Sequence, residues 1–228
     1  MSDQLKMKEF HQAEGAQDWR IVSDGACAFY RTRSLAEAAR FVHAIGEVPG
    51  IEDHPPAVDI RHDGVTVRLV TLNSEYMGMT TTDLDLARLI SDKARELGLS
   101  ADPSAIQSVL IVPGALDIKQ VMPFWRAVLG YDPRPDSPEE DLVDPHDRGP
   151  AFWFEGMEQP RADGGGAIHI AVWLPIEQAQ ARVDAALAAG GRMVRDDFAP
   201  AWWTLADAAG NEADIATTEY RDGPPPTA

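Results

Sequence analysis

The sequence is poor in cysteine and in basic residues, and it lacks long apolar runs. Cys27 is the only cysteine among 228 residues, so the chain forms no internal disulfide and has no second thiol for a zinc knuckle. Lys and Arg number 20 against 37 Asp and Glu, and the formal net charge of −17 disfavours nucleic-acid binding. No apolar run approaches the roughly 20 residues of a membrane-spanning helix. Residues 1–6 lack the pattern of a secretory signal, so we expect the protein to be located in the cytoplasm.

Hydrophobic residues make up 44% of the sequence, which is enough for a globular protein of one large domain or two small ones. Around residues 98–104 a helical pattern stops at Gly and Pro, and a strand-like run begins. This change predicts a first domain at residues 1–100 and a second at 105–219. The Pro-rich residues 220–228 are expected to form a disordered tail.

The first domain contains helix and strand patterns in alternation. Residues 34–37 have the sequence of a capping box and precede apolar residues at helical spacing. Asp63-Gly64 separates two β-rich runs, 58–60 and 65–70, and predicts a hairpin. A second amphipathic helix is predicted at 82–97. The pattern indicates an α+β domain with helices on one face of an antiparallel sheet.

In the second domain the order strand, helix, strands occurs twice. The first copy starts with a strand at 106–112 and a helix that is capped at Asp117 and ends at Gly130. Pro123 indicates that this helix starts late or bends. The remaining elements are expected at 142–143, 151–155, 167–173, 176–189 (a helix), 192–195, 201–205 and 211–217.

A series of motifs extends from residue 15 to residue 98. In order, it consists of Trp19, Phe29-Tyr30, a helix with Ala38, Ala39 and Phe41, His54-Pro55-Pro56, a hairpin ending in Thr71, Gly78-Met79-Thr80, and Asp83-Leu84-Asp85-Leu86-Ala87. This series resembles pterin-4a-carbinolamine dehydratase. That resemblance implies dehydration of a 4a-hydroxy-tetrahydropterin, which needs a proton donor for the leaving hydroxide and a base for a ring N–H.

The sequence departs from the family at its histidines. The family has two adjacent histidines before a proline, an aromatic residue in the first hairpin strand and a third histidine after the threonine. Here His54 matches the first histidine, Pro55 replaces the second, His62 occupies the aromatic position and Leu72 replaces the third. If the alignment is shifted by one residue, Asp53 and His54 occupy the two adjacent histidine positions. In both alignments Leu72 replaces the third histidine.

Two interpretations of this first set of residues remain open. In the catalytic one, His54 performs acid–base chemistry on a related heterocycle, with Asp53, His62 and Asp83 as partners. In the other, the domain retains the fold as a binding or dimerisation module. His54 is then an ordinary turn residue, and Asp83 is a residue that opens a helix.

A second series of motifs covers residues 106–217. Its members are Pro123 to Gly130, Ile168 to Val172, Ala188 to Gly191, Leu205 to Asp207 and Gly210 to Glu212. They resemble the glyoxalase and bleomycin-resistance superfamily, also called the vicinal oxygen chelate fold. This resemblance implies paired βαβββ modules that form a half-open barrel, so the fold class of the whole chain is α+β.

The resemblance also implies a site for one divalent metal ion. The ligand positions of the metal-dependent members fall on Gln107, Glu155, His169 and Asp214, a donor set suited to a hard or borderline cation that polarises a carbonyl or acidifies a C–H. Without a metal, the cavity is an apolar pocket with His169 or Asp214 as polar anchors. The candidate lining residues are Trp153, Trp173, Trp202 and Trp203, and core filling is the alternative for each of them.

Three functions follow from these patterns. The leading hypothesis is a small-molecule enzyme of hydro-lyase type that acts on a cyclic or heterocyclic substrate. The alternatives are a metal-dependent lyase, isomerase or dioxygenase, and a non-catalytic small-molecule binder of the resistance type. We expect a homodimer, with neither a nucleic-acid nor a membrane partner.

Overall fold

The structure is a computed structural model that describes residues 4–23, 25–159, 168–206 and 212–219. The chain divides into two compact units between Ile106 and Gln107, called here unit 1 and unit 2. The expected disordered tail lies outside the described residues. Among those residues, none of the helices combines the length and the apolar character that crossing a bilayer requires.

Unit 1, as far as it is described, has three α-helices and two antiparallel sheets. Its helices are α1 (Met7–Gln12), α2 (Leu35–Gly46) and α3 (Thr81–Glu96). Its strands are β1 (Gln4–Leu5), β2 (Arg20–Val22), β3 (Gly25–Arg31), β4 (Ala57–Ile60), β5 (Gly64–Leu69), β6 (Thr71–Leu72) and β7 (Met77–Thr80). One sheet has the order β2-β3-β5-β4 and the other β1-β7-β6. The predicted hairpin and both predicted helices are confirmed.

Helix α2 begins where the capping pattern predicts, but only half of the capping box forms. The Ser34 side chain accepts a hydrogen bond from the Glu37 N–H at 3.2 Å. The Glu37 carboxylate does not return to Ser34, because it accepts the Arg33 N–H at 2.6 Å and pairs with the Arg33 guanidinium at 2.7 Å. This guanidinium lowers the pKa of Glu37 to about 2. The buried faces of α2 and α3 pack into one core with strands β3 and β5.

Unit 2 contains one large mixed sheet and two α-helices among its described residues. The elements are β8 (Ser108–Ala115), α4 (Ile118–Leu129), β9 (Asp132–Pro133), β10 (Asp141–Val143), β11 (Ala151–Trp153), β12 (Glu155–Gly156), β13 (Ile168–Trp173), α5 (Ile176–Ala188), β14 (Arg192–Arg195), β15 (Trp202–Ala206) and β16 (Glu212–Ala216). Helix α4 begins directly after its cap Asp117 and continues through Pro123, so the predicted late start is wrong. It ends at Gly130 as predicted, because this glycine adopts the left-handed conformation, with φ of 68°.

The sheet of unit 2 has the twofold repeat that the pattern predicts. Strand β8 pairs in parallel with β11, the last full strand of the first copy, and β13 pairs in parallel with β16, the last of the second. Antiparallel pairing of β8 with β13 joins the two copies. The strand order is β14-β15-β16-β13-β8-β11-β10-β9, with β12 also on β8, and in the described ranges the sheet does not close into a barrel. The α+β class and the paired modules are confirmed.

Both helices of unit 2 lie on one face of this sheet. Helix α5 packs on Val172, Trp203 and Ile215, and α4 packs on Ile111 and Phe152. Because side chains alternate along a strand, the residues between these point to the opposite face. We call the two sides the helix face and the open face.

Candidate functional site

The polar site of unit 1 forms where α3 begins. Thr80 is the N-cap of α3, and Asp83 stands at the third helical position. The Asp83 N–H donates to the Thr80 hydroxyl at 3.4 Å, and the Thr80 N–H donates to Asp83 Oδ2 at 2.8 Å, which completes a capping box. The local sequence Thr-x-x-Asp therefore determines where this buried carboxylate lies.

Both oxygens of the Asp83 carboxylate are occupied. Oδ1 lies 2.7 Å from Nε2 of His54. Oδ2 accepts the hydroxyls of Thr71 and Thr80, each at 2.7 Å, in addition to the Thr80 N–H. The Asp83 side chain is fully buried. We call these four residues, His54, Thr71, Thr80 and Asp83, the Asp83 cluster.

The hydrogen bonds of the Asp83 cluster determine the tautomer of His54. In its ionised form Asp83 acts only as an acceptor, and the three donors on Oδ2 suit that form. Nε2 of His54 therefore carries the proton that bridges to Oδ1. In the neutral imidazole, Nδ1 is then the atom with the lone pair, and the His54 side chain is 23% exposed. The contacts thus leave Nδ1 as the imidazole nitrogen that is not engaged by the Asp83 cluster.

The structure brings His54 and Asp83 together and leaves the other two predicted partners outside. Asp53 precedes His54 and is exposed. His62 was expected within the first hairpin strand, but β4 ends at Ile60 and the Arg61 N–H bonds to the Gly64 carbonyl at 2.9 Å. This bond places His62 in the turn with 93% of its side chain exposed, so the expected strand position is wrong.

Thr71 and Thr80 were not among the predicted site residues, although both belong to the motif series of the first domain. For Thr80 a signal was available, since a threonine three residues before an aspartate is typical of a capping box. Thr71 lies 12 positions before Asp83, on another element, and no local pattern predicts its contact with the carboxylate.

Unit 2 holds a second histidine–aspartate pair, on the open face. His169 on β13 has Nε2 at 3.3 Å from Asp214 Oδ2 on β16. The Thr204 hydroxyl on β15 donates to Asp214 Oδ1 at 2.7 Å. The hydrogen bond with Asp214 raises the pKa of His169, the charges of Asp214, Glu155 and Glu212 add to this effect, and burial opposes it.

The predicted four metal ligands do not come together in the described part of unit 2. Gln107 is exposed and lies outside β8, whereas His169 pairs with Val112. At about 3.3 Å per residue, Gln107 is roughly 17 Å along the strand from that position. Glu155 is exposed on β12, and no group of three His, Cys, Asp or Glu side chains suited to a metal occurs within the described ranges. The donors present there do not fit the predicted four-ligand centre.

The four candidate tryptophans separate onto the two faces of the sheet. Trp203 is 7% exposed and packs in the core under α5, which favours the core alternative for this residue. Trp173 and Trp202 lie opposite Ala216 in adjacent strand pairs, on the open face. Trp153 also lies on the open face, because its neighbours Phe152 and Phe154 pack under α4.

The stability of unit 2 is expected to depend on pH through His169. Because the pKa of His169 is raised in the folded protein, protonation favours folding. This stabilisation is fully present below about pH 6.5, the ordinary pKa of histidine, and is lost as the pH rises through the raised value. Urea unfolding of the parent should therefore lose more stability over this range than that of His169→Gln. The exposed His43 gives a matched control, His43→Gln, and equal pH dependence in all three proteins contradicts the expectation.

Two family models match the chain, one in each half. A family model for pterin 4 alpha carbinolamine dehydratase matches residues 3–93, and one for a glyoxalase-like domain matches residues 110–216. No curated protein matches the chain.

Two of the similar solved structures each cover about half of the chain. One is a glyoxalase/bleomycin resistance protein/dioxygenase superfamily member from Vibrio splendidus 12B01, 17% identical, covering 49% of this chain and 99% of that one, with a TM-score of 0.32. The other is an NAD-dependent benzaldehyde dehydrogenase from Legionella pneumophila, 12% identical, covering 48% and 97%, with a TM-score of 0.35. The family matches confirm both resemblances, and the chain joins a pterin-4a-carbinolamine dehydratase-like domain to a glyoxalase-like domain.

Proposed function

We propose that unit 1 is an acid–base catalyst of the hydro-lyase type that removes water from a hydroxylated cyclic or heterocyclic small molecule. The observation that carries the proposal is the 2.7 Å contact between His54 Nε2 and the buried Asp83 carboxylate, which leaves Nδ1 for the substrate. The match of residues 3–93 to the dehydratase family model supports the same reaction class.

The reaction that fits this site is an elimination across a carbon–nitrogen bond. Nδ1 of His54 takes the proton from the ring N–H, the C–O bond breaks, and the nitrogen electron pair forms a C=N bond. The departing hydroxide then takes the proton back from the imidazolium and leaves as water. Asp83 stabilises the imidazolium while it exists, so one histidine returns to its starting state after each turnover.

The missing family histidines restrict which substrates suit this site. Pro55 does not titrate, and Leu72 has no polar group, so at these positions nothing shares the proton transfers with His54. A single imidazole that serves as both base and acid must reach the N–H and the C–OH from one position, and this is easiest when the two groups are on adjacent atoms. We therefore propose a carbinolamine, in which hydroxyl carbon and nitrogen are bonded directly, as the substrate class.

A dehydration assay with the full chain tests this proposal. The probe is a 4a-hydroxy-tetrahydropterin, with a simple cyclic carbinolamine beside it, and the formation of the C=N product is followed by absorbance. We expect the protein to accelerate at least one of the two reactions over buffer. No acceleration of either probe contradicts the proposed function.

A second candidate function belongs to unit 2, where the His169–Asp214–Thr204 contacts favour binding of a small molecule on the open face. Quenching of tryptophan fluorescence by a panel of planar heterocycles tests it, since Trp173 and Trp202 are on that face. Weaker quenching in His169→Gln supports this function, and unchanged quenching contradicts it.

We also propose that the protein is a cytoplasmic homodimer. Both families that the chain resembles bind small molecules and are often oligomeric, which supports this proposal.

A further inference from the structure

Thr71 contributes to the Asp83 cluster from outside the helix that carries Asp83. It is the first residue of β6, whereas Thr80 and Asp83 belong to the start of α3. Its hydroxyl oxygen lies 2.7 Å from Asp83 Oδ2 and 3.1 Å from the Thr80 hydroxyl oxygen. Since the contact with the carboxylate is shorter and charge-assisted, the Thr71 proton goes to Asp83.

The start of α3 is complete without this hydrogen bond. Thr80 accepts the Asp83 N–H, and Asp83 accepts the Thr80 N–H, so both bonds of the capping box are made within the helix terminus. A helix terminus of this type needs no third residue. The Thr71 hydroxyl therefore serves the carboxylate rather than the helix.

The position of the Thr71 bond indicates what it does for the carboxylate. Asp83 Oδ2 receives its other two donors from one residue, Thr80, at the start of the helix that carries Asp83. Thr71 adds a donor from a separate strand, which opposes rotation of the carboxylate about its Cβ–Cγ bond. That rotation sets where Oδ1 lies, and Oδ1 is the atom that holds Nε2 of His54.

We infer that Thr71 is a positioning residue that acts through Asp83 to hold His54 with its proton on Nε2 and Nδ1 facing the substrate. The inference rests on the proposed acid–base function of His54 for its catalytic consequence. Its structural content is the control of the His54 tautomer by a hydroxyl on β6. That part depends only on the contacts of the Asp83 carboxylate with His54, Thr71 and Thr80. A role for Thr71 in holding β6 against α3 would not affect the imidazole proton.

The test measures the His54 imidazole by ¹H–¹⁵N NMR at a pH where the ring is neutral, in the full chain. We expect a single Nε2–H tautomer with a slowly exchanging proton in the parent and in Thr71→Ser, which keeps the hydroxyl. Thr71→Val has nearly the same shape without the donor, and we expect a mixture of tautomers and a rapidly exchanging proton. Thr66→Val on β5, outside the Asp83 cluster, is the matched control and should resemble the parent.

Two further outcomes overturn the inference even if the valine variant does not fold. Thr71→Ala removes the hydroxyl without adding bulk, so a parent-like tautomer in this variant contradicts it. If Thr71→Ser shows the mixture of tautomers expected of Thr71→Val, the methyl group rather than the hydroxyl controls the tautomer. That result also contradicts the inference. A parent-like spectrum in a folded Thr71→Val protein overturns it directly.

Rate measurements separate this inference from the proposed function. With a carbinolamine probe, Thr71→Val should lower kcat by about tenfold to a hundredfold, with KM changed less than about twofold, because a misplaced base costs rate rather than binding. The NMR experiment needs no substrate. If the tautomer changes as expected while His54→Gln retains full activity, the proposed function fails and the positioning role of Thr71 stands.

Discussion

Replacing His54 by glutamine should lower the dehydration rate by about a hundredfold to ten-thousandfold. Glutamine keeps a polar side chain of similar length, and its amide donates to Asp83 Oδ1. It has no nitrogen that accepts and returns a proton near neutral pH, so the proton transfers fall to water. The measurement is kcat/KM for a carbinolamine probe, with circular dichroism to show that the variant is folded.

The matched control for this prediction is His62→Gln. His62 lies in the hairpin turn of the same unit, with 93% of its side chain exposed and outside the Asp83 cluster. It should retain the parent rate. Equal losses in both variants, or no loss in His54→Gln, contradict the assignment of His54 as the acid–base group.

Replacing Asp83 by asparagine should affect both rate and stability. If the asparagine oxygen accepts from Thr71 and Thr80, its NH₂ group points at His54 and forces the imidazole proton to Nδ1. This is the wrong tautomer for the proposed base, and substitutions of this kind in other histidine–aspartate pairs cost up to about 10⁴ in rate. The loss of charge-assisted hydrogen bonds in a fully buried cluster should also cost about 1–3 kcal/mol in the free energy of unfolding.

Asp85→Asn is the control on the same helix. Asp85 is exposed and pairs at 3.0 Å with Arg88, so its replacement should change stability by less than about 0.5 kcal/mol and leave the rate unchanged. The rate is measured with the same probe, and stability by urea unfolding. An Asp83→Asn protein with the parent rate would show that the contact with His54 has no catalytic role.

The architecture was largely predictable because local patterns determine it. Residues that are close in sequence determine where a helix begins, as at Asp117, and where a hairpin turns, as at Asp63-Gly64. They also determine the period of the apolar residues in each element. Strands β6 and β9 were not predicted from the sequence, because two residues have too few side chains to show a period. Strands β2 and β7, with three and four residues, were missed as well. Their existence depends on pairing with a distant strand.

The candidate site was predictable only in part, because its contacts cross between elements. His54 and Asp83 are 29 positions apart, and each was selected for its residue type rather than for their contact. Thr71 was known only as the end of a hairpin. In unit 2, His169 and Asp214 meet as their shared fold implies, but Gln107 does not, since strand β8 begins after it and its distance from His169 is set by sheet register.

We propose that catalysis takes place at His54 in unit 1. The most direct test measures the dehydration rate of one carbinolamine probe with the parent, His54→Gln and His169→Gln in the same assay. We expect His54→Gln to lose about a hundredfold or more of the rate and His169→Gln to keep the parent rate. Loss of activity in His169→Gln together with full activity in His54→Gln would contradict the role of His54 and assign the chemistry to unit 2.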